Sequence, residues 1–367
     1  MKKYYYLKII TLVFSLSFAS CFSQDDIEIK SYIGVYVPKD SLDSYILSKM
    51  KELDIPGVSF AIINDGKVAY RNTFGYANKE EKIAVSDKTI FEAASLSKSV
   101  FAFFAMKYVE EGRLDLDKPL FEYLPYPDIE HDARYKKITA RMVLSHRSGF
   151  PNWRENETDR KLKIKFDPGT GYEYSGEGYQ YLAKVLKHLD NTDWMGLENS
   201  FQNMVAKPLD MKHTVFVPNS YIMKKKAEPY NKNGKRVDWK NSYWYKKDKD
   251  KFVAPSSMHT ESLDFSKWMI AIMNKELLSL ESYDELLKHH SKTATTSTGM
   301  NIYYTLGFLN PDGKYSTTYI HDGNNEGFTS WFLIDTEKDW GYVLFTNSDN
   351  GGGLGNNLWN YLEKEKY

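Results

Sequence analysis

Apolar positions recur along this chain with two periods, and the periods divide it into three parts. Leu42, Tyr45, Ile46, Met50 and Leu53 keep a helical spacing, which predicts a helix over Ser41 to Leu53 with Asp40 as its cap. Val58 to Ile63 is a run of β formers. Asn64-Asp65-Gly66 then turns the chain into a second run, Lys67 to Phe74, which predicts a hairpin. Phe91 to Ala94 reads as extended, and Ser95 to Glu111 as the longest strongly apolar helix, stopped by Gly112. In the middle third, helices at Tyr179 to Leu189 and Trp194 to Val205 are separated by Gly/Pro/Asp loops. Strands return at Thr317 to His321, Thr329 to Asp335 and Gly341 to Thr346, and Asn350 to Gly353 leads into a last helix, Leu354 to Glu363. This order predicts an α/β (α+β) fold: a sheet built from both chain ends and flanked by helices, with an all-helical domain inserted between. The expected boundaries are 38–112 and 300–367 for the two parts of the sheet domain and 113–299 for the insertion.

The first residues follow a different pattern. Lys2, Lys3 and Lys8 precede an apolar run from Ile9 to Ala19, and polar Ser23 to Asp26 ends it. A basic head, a short apolar stretch and small residues read as a secretory signal over 1–20, followed by a linker over 21–37. The protein is therefore expected to be exported. Phe18-Ala19-Ser20-Cys21 resembles the lipobox of bacterial lipoproteins, which makes Cys21 a candidate lipidation site. The expected location is the cell envelope, periplasmic or membrane-anchored through that lipid, with secretion after ordinary cleavage as the competitor.

Composition removes several function classes. The single cysteine leaves no intramolecular disulfide, multi-cysteine zinc site or iron–sulfur cluster. With 49 Lys+Arg against 49 Asp+Glu the net charge is zero, so no global field favours nucleic acid. One stretch departs from that balance. Lys224 to Lys251 holds eleven Lys/Arg against four Asp/Glu, interleaved with Tyr230, Trp239, Tyr243, Trp244 and Tyr245. Such a segment either lines a cleft for an anionic or sugar-like group or stays a solvated loop.

The candidate chemistry lies in three places. Ser95 and Lys98 sit three residues apart on a predicted helix and so share a face. A serine hydroxyl needs a base, and a lysine in a dry setting has a lowered pKa and can serve. Ser48 and Lys51 share the spacing but read as the polar side of a surface helix. Tyr174 follows the Pro168 to Gly171 turn, where a tyrosine can shuttle a proton beside a cationic lysine. Thr317 to Ile320 ends in His321-Asp322-Gly323, and Gly323 lets a ligand approach the strand so that the N–H groups of Asn324 and Ser95 form an oxyanion hole. No Gly-x-Ser-x-Gly elbow, His-Glu-x-x-His helix or Walker-type loop is present, so no metal or organic cofactor is expected. His146 reads as a loop brace, and Met269 and Met273 as core.

Together these elements resemble the serine β-lactamase and penicillin-binding-protein superfamily, in the branch of class C β-lactamases and related esterases (family VIII) and peptidases. That branch carries Ser-x-x-Lys, Tyr-x-Asn and Lys/His-x-Gly in this order. Leu144 to Pro151 resembles its Leu-x-His-x-Ser-Gly loop, Pro208 to Thr214 its Pro-Leu-Gly-Met-x-x-Thr stretch, and Phe345-Thr346-Asn347 its last strand. The resemblance implies a β-lactamase/transpeptidase-like fold with an antiparallel sheet. It implies Ser95 as acylated nucleophile, Lys98 as its activator, Tyr174 as general acid/base, and His321 as the group that polarises Tyr174 or orients substrate. Asp322, Gly323, Asn324 and Gly176 fall at its substrate-binding positions. Gly176 replaces the usual Asn, and Asp322 puts a carboxyl where penicillin-like ligands place their own. Both departures argue against efficient β-lactamase or D-alanyl-D-alanine chemistry. The expectation is a monomeric serine hydrolase acting on a small ester, amide or peptide. A D-peptidase or β-lactamase, or a non-catalytic penicillin-binding or sensor protein, is the alternative.

Overall fold

A computed structural model describes residues 28–367; the expected signal peptide and Cys21 lie outside them. The chain runs through α1 (Lys39–Glu52), β1 (Gly57–Asn64), β2 (Lys67–Asn78), β3 (Ile83–Ala84), β4 (Phe91–Glu92) and α2 (Leu96–Glu110). Then follow α3 (Ala140–Leu144), α4 (Gly176–Leu189), α5 (Trp194–Phe201), α6 (Ser220–Lys225), α7 (Tyr243–Asp248), β5 (His259–Thr260), α8 (Ser262–Met273) and α9 (Leu280–Leu287). The last part holds β6 (Ser291–Thr295), β7 (Asn301–Tyr304), β8 (Leu309–Pro311), β9 (Thr318–Asn325), β10 (Phe328–Asp335), β11 (Trp340–Thr346) and α10 (Gly351–Leu362).

Nine strands form one antiparallel sheet in the order β3-β2-β1-β11-β10-β9-β8-β7-β6. The first hairpin of the chain thus pairs with its last strands, with Ser59 opposite Phe345 and Ser330 opposite Phe345 on the other side. Every residue of β1 is buried because both faces are covered. Phe60 and Ile62 pack with Leu42 and Ile46 of α1 and Leu354 and Leu358 of α10. Ala61 and Ile63 face the larger core of α2, α8 and the helical region. Helix α2 is buried nearly all round, the signature of a central helix rather than a surface one. Among the described residues no helix is long and apolar enough to cross a membrane.

Several boundaries differ from expectation. Helix α1 begins after Pro38 with Asp40 in its first turn, favourable to the helix dipole but not its cap. Strand β2 runs on to Asn78, where the short β3 pairs with it. The α-helix of α5 stops at Phe201 and widens into one π turn, Gln202–Ala206, just ahead of Pro208. The span 113–299 expected to be helical also contains sheet material: β6 is the sheet's far edge, and α8 packs against β1, β2, β10 and β11. Strand β6 is polar and β7 is only four residues long, so neither carries enough alternation to announce itself.

Candidate active site

The turn from β4 into α2 sets the stage. The Ala93 N–H donates to the Met258 carbonyl at 2.8 Å, and the Ser330 hydroxyl donates to the Ala93 carbonyl at 2.7 Å. Ala94 is then held at φ 47°, a left-handed conformation that alanine adopts at a cost of ~1–3 kcal/mol and that gathers at functional sites. Ser97 fixes the turn further: its hydroxyl donates to the Ala94 carbonyl at 2.5 Å and accepts from the Met258 N–H at 3.1 Å. The result is a partly exposed Ser95 at the start of a buried helix.

One turn on, Lys98 is 1% exposed. Its Nζ lies 3.1 Å from Ser95 Oγ and donates to the Pro255 carbonyl at 3.0 Å. Burial pulls its pKa down to about 7, against an opposing pull from the Asp322 charge. Near neutral pH a large share of Lys98 is therefore an uncharged amine with a lone pair within reach of the Ser95 proton. Tyr174 completes the cluster, with Lys98 Nζ 4.5 Å from its ring centroid. Burial raises the Tyr174 pKa above the usual tyrosine range, against an opposing effect of its hydrogen bond with Ser95. The phenol thus keeps its proton. The pair divides the labour: Lys98 is suited to accept a proton and Tyr174 to supply one. A phenolate stabilised by a cationic lysine is the less favoured arrangement here.

His146 braces the tyrosine loop. Its Nδ1 accepts the Ser175 N–H at 3.0 Å and its ring lies 4.4 Å from that of Tyr174, with its own backbone held at φ 59°.

His321 does not take the place expected for it. Its Nδ1–H donates to the Asp322 carbonyl at 2.6 Å, which leaves Nε2 to accept from the Tyr304 hydroxyl at 3.0 Å. The ring is 2% exposed, and burial lowers its pKa to about 4, so it is neutral. Its centroid is 6.2 Å from that of Tyr174, and no hydrogen bond joins the two among the described residues. Both ring nitrogens are spent on the protein, so His321 fits a positioning part rather than polarising Tyr174 or gripping substrate. Gly323 is where the sheet closes on the nucleophile. A Cβ there would meet Ser330 Oγ at 2.5 Å, the Ala93 carbonyl at 2.7 Å and the Ser95 nitrogen at 2.8 Å. Asp322 and Asn324, on the other face of β9, are exposed.

Gly176 also differs from expectation. It is buried rather than open to substrate, since a Cβ there would meet the Asn152 carbonyl at 2.9 Å and the Trp153 ring at 3.1 Å. The volume an Asn side chain would need is filled by Trp153. Glu177 holds that filling in place: its buried carboxylate accepts from Arg154 Nε at 2.8 Å, Nη2 at 2.7 Å and the Arg154 N–H at 3.0 Å.

The basic, aromatic segment is neither a free loop nor a charged strip. Lys226 is buried in an ion pair with Glu92, with its Nζ 3.9 Å from the Trp239 ring centroid. Trp244 packs on Trp153 at 5.3 Å, and Lys247 pairs with Glu155 at 2.5 Å. The segment thereby walls a cavity of about 380 Å³ whose rim includes Asn324.

His213, Glu261 and Asp264 bring ligand atoms within 4.8 Å of one another. Glu261 already caps α8, accepting from the Leu263 and Asp264 N–H groups, and pairs with Arg71 at 2.9 Å. Asp264 accepts the His213 N–H at 2.6 Å. N–H donors occupy these carboxylates, so the cluster serves as a helix cap. Sequence reasoning missed the Pro255 carbonyl, Tyr304 and Trp153. The first offers only backbone, and the others are an aromatic in an unrecognised strand and one in a loop.

Comparison with known proteins places the fold. Residues 42–364 match the family described as Beta-lactamase. Protein flp of Staphylococcus aureus (strain MW2) is 25% identical over 328 residues, covering 84% of this chain; the chain spans 63% of that relative's length. An octameric penicillin-binding protein homologue from Pyrococcus abyssi superposes with a TM-score of 0.71 at 23% identity, covering 86% of this chain and 74% of that one. The D-alanine carboxypeptidase AmpC from Burkholderia cenocepacia superposes with a TM-score of 0.68 at 18% identity, covering 85% and 95%. These likenesses show the β-lactamase/transpeptidase-like fold. This chain belongs to the Beta-lactamase family.

Proposed function

We propose that the protein is an exported serine hydrolase that cleaves a small ester or amide through an acyl-Ser95 intermediate. The observation that carries this reading is the buried Lys98 amine, 3.1 Å from Ser95 Oγ and with its pKa pulled to about 7. As Oγ bonds to the substrate carbonyl carbon, the Ser95 proton passes to Lys98 Nζ. The developing oxyanion sits between the N–H groups of Ser95 and Asn324. The carbonyl–heteroatom bond then breaks, and the leaving group takes a proton from Tyr174, which is resupplied from Lys98. Water attacks the acyl-enzyme by the reverse route and restores the free serine. Asp322 and the Trp153 filling over Gly176 favour esters over penicillins and D-alanyl-D-alanine peptides. Export, with lipidation at Cys21 as its anchored form, belongs to the same reading and rests on the N-terminal sequence pattern.

The test is intact mass after incubation with a fluorophosphonate and with an activated short-chain ester, beside product release. The expected result is an adduct mapped to Ser95 and ester turnover that Ser95→Ala abolishes in a folded protein. A folded Ser95→Ala variant that keeps its turnover overturns the reading. A lasting penicillin adduct without turnover replaces it with a penicillin-binding role.

A further inference from the structure

Strand β9 carries two exposed side chains, Asp322 and Asn324, on either side of the residue that touches the nucleophile turn. Gly323 faces inward against Ser95, while Asp322 and Asn324 are exposed on the opposite face. Strand β8 pairs with β9 only at Leu309–Ile320, so β9 from His321 onward has an open edge on that side among the described residues. A substrate laid along that edge passes Asp322 at one end and reaches Asn324 at the other.

The two ends differ in chemistry. Asp322 forms no ion pair among the described residues, and the titratable groups that feel its charge are the neutral His321, the phenols of Tyr172 and Tyr174 and the buried Lys98. Its side chain therefore meets no cation except Lys98, which stands beside Ser95 and is itself held partly neutral by burial. Beyond Asn324 lies the cavity of about 380 Å³, with Trp153, Trp239, Trp244 and Tyr245 among its walls. Of the acids that line it with Asp248 and Glu326, Glu92 is already satisfied by Lys226 and by Asn325 Nδ2, which donates to it at 2.6 Å. The walls are pinned, with Trp239 against Tyr245 at 4.8 Å and Trp239 Nε1 donating to Glu228 at 3.1 Å. Aromatic faces of this kind take planar or apolar groups and tolerate a nearby cation, whereas a carboxylate beside Asp322 is repelled.

We propose that the site selects substrates carrying a protonated amine, seated at the Asp322 carboxylate, with an apolar or aromatic body directed into the tryptophan-walled cavity. The catalytic part of this inference rests on the acyl-Ser95 reading; the binding part does not.

Three para-nitrophenyl esters of matched length test it: the ε-aminocaproate (cationic), the heptanoate (neutral) and the pimelate monoester (anionic). The expected kcat/KM order is cationic above neutral above anionic, with the first exceeding the last by about tenfold or more. In Asp322→Asn that ratio falls towards one, and each variant's heptanoate rate serves as its internal reference. An unranked wild type, or a ranking that survives Asp322→Asn, overturns the proposal. Should Asp322→Asn fail to fold, added salt must compress the wild-type ratio, and a salt-independent ratio overturns it equally. If no ester is turned over, the acyl-serine reading falls, and tryptophan fluorescence decides the binding claim by itself. Phenethylammonium must then bind about tenfold more tightly than hydrocinnamate, and equal or absent binding overturns the proposal.

Discussion

Gly323 of β9 stands so close to Ser95 that a Cβ on the glycine would lie 2.8 Å from the serine's backbone nitrogen. The same Cβ would press on the Ala93 carbonyl and on Ser330 Oγ, the pair that ties β10 to the nucleophile turn. The sheet and the central helix are therefore joined at the point where the chemistry is proposed. The left-handed Ala94 between them is sustained by that junction.

Gly323→Ala is expected to push β9 away from Ser95. Two of the three crowding atoms are backbone and cannot swing aside, so overpacking costs ~1–3 kcal/mol of stability. Ester turnover falls by far more than stability does, because the Ser95 and Asn324 N–H groups lose their common target. Thermal unfolding and kcat measured on the same preparation check both. Turnover at wild-type level in the alanine variant contradicts the junction's role.

Lys98 gives a pH profile with a defined sign. Only the neutral amine accepts the Ser95 proton, so kcat/KM is expected to rise about tenfold per pH unit below about 7 and to level off above it. The same burial costs stability. A folded pKa near 7 against an unfolded value of 10.5 means that stability is lost as pH falls from 10.5 to 7, and the cost stays full below that. Lys98→Met, which removes the charge but also strands the Pro255 carbonyl, is expected to raise stability by ~0.5–2 kcal/mol at pH 7 while abolishing turnover. Its advantage over wild type shrinks towards pH 10.5, as denaturant melts at several pH values will read.

The extent to which all this was legible in the sequence follows the range of each interaction. Ser95 and Lys98 were readable because one helical turn alone brings them together, and Asn64-Asp65-Gly66 announced its hairpin by local turn chemistry. An antiparallel sheet drawn from both chain ends followed from the resemblance and from strands at both ends, but the pairing of β1 with β11 is seen only in the fold. His321 was placed in the right strand, but its role was misread. Its tautomer is set by its neighbour's carbonyl and by Tyr304 in an unrecognised strand. Gly176 was recognised as a departure, but nothing local showed that Trp153 fills the space. The basic segment's charge suggested a solvated loop or an anion cleft. Instead, burial of Lys226 against Glu92 and Trp239 turns part of it into a wall.

Acid sensitivity should come from three buried histidines. His146, His259 and His321 are 0%, 6% and 2% exposed, and desolvation lowers the pKa of each, to about 4 for the last two. Each stays neutral in the fold while its unfolded counterpart takes a proton near pH 6.5. Their contribution is thus complete above 6.5 and is lost as pH falls through 6.5 towards 4. Each is worth up to ~1.4 kcal/mol per pH unit in that window. Replacing His259 by Gln, which can keep a donor for the Ser257 carbonyl, is expected to flatten the stability–pH slope between 6 and 4.5 without shifting the ester pH profile. An unchanged slope contradicts the assignment.

Placing at 176 the Asn that the resemblance implies is the sharpest test of how Trp153 shapes the cleft. Gly176→Asn alone sets a Cβ against the Asn152 carbonyl at 2.9 Å and the Trp153 ring at 3.1 Å. It is expected to destabilise by ~1–3 kcal/mol and to open no penicillin hydrolysis. Trp153→Ala on its own removes a partner of Trp244 and loosens the cavity wall. Combined, the two changes relieve one another: the ring no longer crowds the new side chain, so the double variant is more stable than the sum of the single losses predicts. The coupling should be 0.5 kcal/mol or more, the size expected for residues in direct contact. A double-mutant cycle by thermal unfolding reads it, and strict additivity means that Trp153 is not what excludes the asparagine.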